Sequence, residues 1–254
     1  MRIALVTGAS SGMGREFVRQ IPGLYRHLDE IWVSARRTER LKQLKEECSV
    51  PIRIFDGDLR EDATFEKIEE ELKKQEPEIR MLVNAAGFGK MGGFEKISLE
   101  DQLEMIDLNC RVLTKMTGIC LPCLSKGSRI INIASAAAFA PQPGFAVYAA
   151  GKAYVYRLSV ALREELRARG ILVTAVCPGP VDTEFFKISG ELPGALKTTF
   201  RADVQKVVRT ALQDAVSGKA VSVYGMPMKA ARFFSGLLPD ACLALFMKWA
   251  NQIR

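Results

Sequence analysis

The sequence is poor in the residues that build metal centres and disulfide frameworks. Its 254 residues include one histidine, His27, and six cysteines, at positions 48, 110, 120, 123, 177 and 242. That scatter does not predict disulfides in a chain of this size. Cys120-Leu-Pro-Cys123 matches the Cys-x-x-Cys motif of redox and zinc sites, but it ends a long helical stretch and no second cysteine pair accompanies it. We therefore expect buried structural thiols and no metal site.

A long apolar run at the amino terminus is also missing. The run Ile3-Ala-Leu-Val6 ends two residues later at Gly8, so it is too short for a signal peptide or a membrane span. We expect the protein to stay in the compartment where it is made, which predicts a cytoplasmic location.

Clusters of basic residues interleaved with aromatic side chains, typical of nucleic-acid binding, do not occur. The net charge is +7, yet bases are mixed with acids, as in Arg163-Glu164-Glu165-Leu166-Arg167. This pattern predicts a solvated, mixed surface and no nucleic-acid partner. An anionic ligand could still use a few of the arginines.

Apolar runs alternate with helical patterns along the chain. The predicted strands are Ile3–Thr7, Ile31–Ala35, Ile52–Phe55, Met81–Asn84, Arg129–Ile133, Leu172–Cys177 and Ala220–Tyr224, and the predicted helices cover 13–20, 62–75, 99–124, 146–169, 203–217 and a stretch from about 229 onward. β-Branched strands separated by helices predict a parallel sheet covered on both faces. The expected fold is thus α/β, with one domain over 1–254 and a doubly wound, mostly parallel seven-stranded sheet. Ligands bind beyond the carboxyl ends of the strands in such a sheet.

A glycine-rich turn follows the first strand. Thr7 to Gly14 reads Thr-Gly-Ala-Ser-Ser-Gly-Met-Gly. Small residues there let the backbone approach a pyrophosphate, with amides and the positive helix terminus facing it. The spacing Gly-x-x-x-Gly-x-Gly is not the commoner dinucleotide pattern, and a tight turn without a ligand is the alternative.

The end of the second strand bears on which dinucleotide would bind. It reads Val33-Ser-Ala-Arg36-Arg37, and no acid follows until Glu39. A carboxylate at this place holds a ribose 2′-hydroxyl, whereas an arginine favours a 2′-phosphate. Arg36 therefore predicts NADP(H) over NAD(H), while Arg37 is open to interpretation as a solvated basic turn.

Tyr148 and Lys152 lie one helical turn apart on the same predicted helix face. A cation about 4 Å from a phenol favours the phenolate by about 3 pKa units at an effective dielectric of about 20. This would bring the pKa of Tyr148 close to 7, where acid–base catalysis is most effective. A pair with this spacing also arises by chance, so its meaning depends on the other motifs.

Together, these motifs resemble the short-chain dehydrogenase/reductase family of single-domain Rossmann proteins, over nearly everything from Arg2 to about Tyr224. The resemblance implies four catalytic residues: Asn109, Ser135, Tyr148 and Lys152. It also implies a cofactor site made by Gly8, Ser10, Ser11, Gly12, Met13, Gly14, Arg36, Asp58, Leu59, Asn84, Ala85, Ala86, Tyr148, Lys152, Val181 and Thr183. Asn84-Ala85-Ala86-Gly87 departs from the family's Asn-Asn-Ala-Gly at its second position, and we expect a mild effect, because backbone groups carry much of that contact.

In the family's mechanism, hydride passes between the nicotinamide and a carbonyl or carbinol carbon. The resemblance implies that Tyr148 exchanges the proton of the substrate oxygen and that Ser135 donates a hydrogen bond to it. Lys152 would hold the nicotinamide ribose, and Asn109 would position a water in a proton relay. A protein that binds NADP(H) as a sensor or scaffold, without turnover, is the alternative, but such proteins commonly lack the tyrosine or the lysine.

Loop position predicts the substrate-facing segments. These are 88–94, 136–145 and a substrate loop over 184–200, and they contain Phe88, Phe94, Phe139, Phe145, Phe185 and Phe186. They favour a lipophilic ketone or secondary alcohol, either hydroxysteroid-like or an acyl-chain carbonyl; the alternative is that the phenylalanines only pack a lid.

The C-terminal extension, residues 226–254, is rich in apolar side chains and is interrupted by Pro239. It could cover the substrate site, form a contact in a homodimer or homotetramer, or lie on a membrane surface. Covering or subunit packing is favoured over membrane contact.

Overall fold

The computed structural model of the chain describes residues 1–190 and 201–252. The strands are β1 (Arg2–Thr7), β2 (Glu30–Ala35), β3 (Ile52–Asp56), β4 (Glu78–Asn84), β5 (Arg129–Ile133), β6 (Leu172–Val176) and β7 (Val221–Ser222). The α-helices are α1 (Gly12–Leu24), α2 (Thr38–Glu47), α3 (Asp62–Gln75), α4 (Leu99–Ile106), α5 (Leu113–Cys120), α6 (Ala146–Glu165), α7 (Phe185–Ser189), α8 (Val204–Val216), α9 (Met226–Ser235) and α10 (Asp240–Ala250).

The strands form one parallel seven-stranded sheet in the order β3-β2-β1-β4-β5-β6-β7. The chain proceeds outward from β1 to β3 and then returns to place β4 on the other side of β1. The order reverses there, and a crevice opens beyond the strand ends at such a switch point. Thr7 pairs with Ser34 on one side and with Asn84 on the other, so the three carboxyl ends are level. The predicted doubly wound α/β fold is confirmed.

Successive side chains of β1 point to opposite faces of the sheet, so this strand contributes to the core on both sides. Ala4 and Val6 pack into a buried cluster with side chains of α1, α2 and α8. Ile3 and Leu5 pack into a second cluster with side chains of α3 and α5. Burial on both sides explains why the strands read as continuous apolar runs rather than alternating ones.

The predicted set of helices needs correction in two places. Helix α2 was not predicted, because its only buried residues are Leu41 and Leu44 in an otherwise polar segment. The helix predicted over 99–124 is divided, since Asp107–Val112 is π-helical and lies between α4 and α5. A π-helical stretch has an extra residue in its turn, so the hydrophobic pattern of the sequence does not reveal it. Such stretches are frequent at functional sites.

The C-terminal extension consists of two helices separated at Pro239, as predicted. Its inner side docks on the domain: the sulfur of Met228 lies against Gly179, Leu243 is buried, and Asn251 Nδ2 donates to the Pro143 carbonyl at 2.8 Å. Its outer side exposes Met226, Phe233, Phe234, Leu237, Leu238, Leu245, Phe246 and Trp249. In the described part of the chain, no helix is both long enough and apolar enough to cross a bilayer.

Candidate active site

The glycine turn is packed too tightly for side chains at two of its glycines. Gly8 has φ +68°, and a Cβ on it would lie 2.8 Å from the Ala86 backbone. A Cβ on Gly14 would lie 2.3 Å from the carbonyl oxygen of Gly8. Only glycine lets the turn close onto the start of α1, which directs the amino end of that helix into the crevice.

The Thr7 hydroxyl fastens this turn to the neighbouring strand end. Its Oγ1 accepts hydrogen bonds from the amides of Ala85, at 3.0 Å, and Ala86, at 3.1 Å. Both amides belong to the predicted cofactor set, and the bond holds them beside Gly8. Sequence reasoning gave Thr7 no role of its own, although a hydroxyl at a strand end is a signal for such a contact.

The side chain of Asn84 is buried against the neighbouring strand and helix. Its Nδ2 donates to Thr117 Oγ1 at 3.1 Å and to Asn132 Oδ1 at 2.9 Å. Asn132 in turn donates to Ser159 Oγ at 2.9 Å. This buried polar chain joins β4 and β5 to α5 and α6, so the Asn84 side chain supports the site from behind.

Arg36 and Asp58, both predicted cofactor residues, lie together at the ends of β2 and β3. Arg36 Nη1 is 3.6 Å from Asp58 Oδ2, and 67% of the Arg36 side chain is exposed. Asp58 is held mainly by Arg60, which lowers the pKa of that carboxyl. Arg36 is thus at the expected edge of the sheet, but its contact is loose.

Arg37, which the sequence analysis allowed to be only a solvated turn residue, makes closer contacts than Arg36. It donates to Ser10 Oγ at 3.2 Å, to Ser11 Oγ at 2.5 Å and to Glu184 Oε2 at 2.8 Å. Arg40 donates to both oxygens of Glu184 at 2.8 Å. We call Ser10, Ser11, Arg37, Arg40 and Glu184 the arginine–Glu184 cluster. Arg40 and Glu184 were missed as partners because they are more than 140 residues apart.

Tyr148, in the first turn of α6, is buried under aromatic rings. Its ring stacks on Phe145, with centroids 4.1 Å apart and an interplanar angle of 14°, and lies 5.5 Å from the ring of Phe185. The Ser135 side chain lies close enough to the phenol to lower its pKa. Ser135 is extended after β5, and its Oγ also accepts from Ala137 N at 3.1 Å. The structure therefore brings Ser135 and Tyr148 together.

The prediction that the pKa of Tyr148 lies near 7 is wrong. Burial raises the pKa of Tyr148 to about 12, and the interaction with Ser135 opposes this only partly. Lys152 Nζ lies 5.6 Å from the centre of the Tyr148 ring and donates to the Ile133 carbonyl at 2.7 Å. The amine attracts a phenolate, but burial removes the water that would solvate the phenolate, and the second effect is larger here.

Lys152 is also buried, and burial lowers its pKa to about 8. A Cβ on Gly87 would lie 2.6 Å from Asn109 Oδ1 and 3.4 Å from Lys152 Nζ, so these groups surround one small space. Asn109 lies in the π-helical stretch; its Nδ2 donates to Phe88 O at 2.8 Å and its Oδ1 accepts from Phe88 N at 3.1 Å. Asn109 therefore holds the loop after β4 beside the lysine.

The segment after β6 closes the other side of the crevice. Gly12 (φ +52°) lies against Thr183, since a Cβ on Gly12 would be 3.5 Å from the Thr183 side chain. Val181 is buried and forms an isolated bridge with Ala202. Two further residues of the predicted cofactor site have side chains that pack into the core behind the crevice. Leu59 belongs to the cluster that contains Ile3 and Leu5, and Met13 packs against the cluster that contains Ala4 and Val6.

Apolar side chains surround Tyr148. The cluster contains Met105, Phe145 and Tyr148, with Phe88, Met91, Ala137, Val147 and Phe185 packed against it. Phe94 is 66% exposed and stands apart, while Phe139 packs against Tyr156. Of the predicted substrate loop, residues 191–200 lie outside the described part of the chain.

A family model, short chain dehydrogenase, matches residues 2–191. The chain belongs to the short-chain dehydrogenase/reductase family of oxidoreductases. It is 36% identical over 192 residues to sulfoacetaldehyde reductase 2 of Chromohalobacter salexigens, covering 72% of this chain and 74% of that protein. It is 37% identical over 194 residues to the NADP-dependent 3-hydroxy acid dehydrogenase of Escherichia coli strain K12, covering 73% and 75%.

Solved structures agree with this assignment. A short-chain dehydrogenase from Sphingobium yanoikuyae, in complex with NADPH, superposes with a TM-score of 0.80 at 28% identity, covering 100% of this chain and 96% of that one. The family prediction is confirmed. In this short-chain dehydrogenase/reductase, the glycine turn follows β1, Ser135 follows β5, and Tyr148 and Lys152 lie on α6.

Proposed function

We propose that the protein is an NADP(H)-dependent oxidoreductase that interconverts a ketone and a secondary alcohol on a lipophilic substrate, either hydroxysteroid-like or an acyl-chain carbonyl. The placement of Ser135 beside the buried Tyr148, close enough to lower the pKa of the phenol, carries the proposal. A sensor or scaffold that binds nucleotide without turnover would not need that pair.

The cofactor is NADP(H). The turn at Gly8 and Gly14 brings backbone amides and the amino end of α1 to the crevice, and Arg36, Arg37 and Arg40 place three guanidinium groups beside it. No carboxylate follows β2 before Glu39, which supports a 2′-phosphate rather than a free ribose hydroxyl. The relative from Escherichia coli is named as NADP-dependent, and this is a further support.

The bound cofactor supplies or accepts the hydride. The chain supplies the proton. Because burial raises the pKa of Tyr148 to about 12, the phenol keeps its proton at neutral pH and is suited to give it to a carbonyl oxygen that gains negative charge. The Ser135 hydroxyl donates a second hydrogen bond to the same oxygen. The protonated phenol is the form that carbonyl reduction requires, and the reverse oxidation requires the phenolate.

The charge state of Lys152 fits a role beside the phenol. With a pKa of about 8, the amine stays mostly protonated at pH 7. It is held between the Ile133 carbonyl and the space bounded by Gly87 and Asn109. From there the ammonium can bind the hydroxyls of the nicotinamide ribose and offset the charge left on Tyr148 after proton transfer.

The substrate class rests on the apolar cluster around Tyr148. Phenylalanine, methionine and alanine side chains give such a site few groups that would compensate a buried charge on the substrate. The relatives are named as a sulfoacetaldehyde reductase and a 3-hydroxy acid dehydrogenase, so a screen must include acidic as well as lipophilic compounds.

Tyr148→Phe tests the proposal after a screen. NADPH oxidation is followed at 340 nm with steroid ketones, acyl-chain ketones, acyl thioesters and 3-oxo acids. We expect the variant to lose turnover by at least about a hundredfold, because it lacks the transferable proton, and to bind NADPH with unchanged affinity. Tyr154→Phe, which removes an exposed phenol from the same helix, is the control. Near-normal turnover in Tyr148→Phe would exclude the proposed role.

We further propose that the chain forms a homodimer or homotetramer through the C-terminal extension. Its outer face exposes large apolar side chains, whereas its inner face is already occupied by the chain's own loops. Exposed apolar surface of this kind marks a protein interface.

A further inference from the structure

We propose that Glu184 is an internal competitor for the 2′-phosphate of the cofactor: its carboxylate occupies Arg37 and Arg40, and a 2′-phosphate displaces it. The inference rests on the proposed use of NADP(H). It assigns a role in cofactor selectivity to a residue beyond the predicted cofactor set.

The contacts show that the carboxylate holds the positions a phosphate would use. Glu184 accepts from Arg37 Nη1 with one oxygen and from Arg40 Nη1 with both, each at 2.8 Å. The remaining nitrogens of Arg37 are directed to the hydroxyls of Ser10 and Ser11 on the glycine turn. Two guanidinium groups thus converge on one anion at the end of β2, and the hydroxyls of Ser10 and Ser11 orient one of these groups, that of Arg37.

The charges favour an exchange. One carboxylate faces two guanidinium groups, so a positive charge remains in the arginine–Glu184 cluster. The arginines lower the pKa of Glu184 to about 2, so the carboxylate is ionised at neutral pH. A phosphate brings up to two negative charges and three acceptor oxygens, and it matches two arginines better than one carboxylate does.

The position of Glu184 links this exchange to the catalytic tyrosine. Glu184 stands between Thr183, which lies against Gly12, and Phe185, whose ring is 5.5 Å from that of Tyr148. The Thr183 hydroxyl also accepts from the Phe185 amide at 3.3 Å. Release of Glu184 therefore alters the start of α7, and through Phe185 the packing against Tyr148.

Glu184→Gln tests the inference through binding alone. Dissociation constants for NADPH and NADH are measured by titration of cofactor fluorescence with the full chain. We expect NADPH to bind about fivefold more tightly, since the competing ion pairs are partly exposed and individually weak. NADH lacks the 2′-phosphate that would replace the Glu184 carboxylate, so its affinity should change less than about twofold. Glu164→Gln changes the net charge equally at an exposed ion pair with Arg167, at the carboxyl end of α6, and is the control.

Two results would overturn the inference. Unchanged NADPH affinity in Glu184→Gln would mean that the phosphate binds elsewhere, for example at Arg36. Equal weakening of NADPH and NADH would mean that Glu184 closes over the cofactor and stays paired. Failure of the wild-type chain to bind NADPH would instead remove the proposed function, so the two failures are distinguishable.

Discussion

Gly14 offers the most direct test of how the cofactor turn is built. A Cβ at this position would be 2.3 Å from the Gly8 carbonyl oxygen and 2.7 Å from its carbonyl carbon, whereas real Cβ contacts essentially never fall below 3.0 Å. Gly14→Ala must therefore move the Gly8 carbonyl by about 0.7 Å, and that group is backbone, not a flexible side chain.

The displaced turn cannot move freely. The amide of Gly8 donates to the Ser34 carbonyl at 2.8 Å, and a Cβ on Gly8 itself would meet the Ala86 backbone at 2.8 Å, so the turn is enclosed by two strand ends. Overpacking of this kind costs about 1–3 kcal/mol. We expect the free energy of unfolding of Gly14→Ala to fall by that amount and NADPH affinity to fall by at least about tenfold, because the amides that face the pyrophosphate shift.

Gly23→Ala is the matched control in the same helix. A Cβ on Gly23 meets nothing within 4 Å, so alanine should raise the free energy of unfolding by about 0.5 kcal/mol through its better helix propensity. Urea unfolding gives the stability of each variant, and cofactor fluorescence gives the affinity. If Gly14→Ala matches the wild type in both, the packing argument for the turn is refuted.

Two further predictions concern the buried lysine and the extension. The pKa of Lys152 is lowered to about 8 from an ordinary 10.5, so the folded chain holds this proton less tightly than the unfolded chain; the penalty is full below pH 8 and disappears as the pH rises toward 10.5. Lys152→Met should therefore gain stability over the wild type at pH 7, and this difference should shrink by on the order of 3 kcal/mol by pH 10.5; a difference that does not vary with pH would contradict the assignment. The double variant Phe233→Ser/Leu237→Ser, at two positions that are each 65% exposed, should dissociate the oligomer without unfolding the chain. Sedimentation velocity checks this, and a wild-type chain that sediments as a 28.1 kDa monomer would contradict the proposed interface.

Much of the fold could be predicted from local pattern. Continuous apolar strands followed by amphipathic helices predict a parallel sheet with two covered faces, and the structure has that sheet. Helix α3 was predicted with the observed bounds, because its buried residues Phe65, Ile68 and Leu72 repeat at helical spacing. Helix α2 and the π-helical stretch at Asp107–Val112 were not predicted, since two buried leucines or an extra residue in a turn leave little periodic signal.

For the site, the sequence predicted that several of the motif residues would lie near one another but not their electrostatic state. Ser135 and Tyr148 meet as the motif order implied, and Lys152 lies beside Asn109. The pKa of Tyr148 was misjudged because spacing along a helix reports how near a charge lies, not how much water the fold removes. Burial depends on Phe145 and Phe185, which arrive from other segments.

The amino-acid sequence by itself thus determined the alternation of strands and helices, the glycine turn and the Tyr148/Lys152 pair, because each depends on residues close together in the chain. Only the tertiary structure decided that Arg37 and Arg40 face Glu184, that Thr7 holds the turn to β4, and that Tyr148 keeps its proton. These properties arise from groups that folding brings together from distant segments and removes from water. Local patterns cannot carry that information.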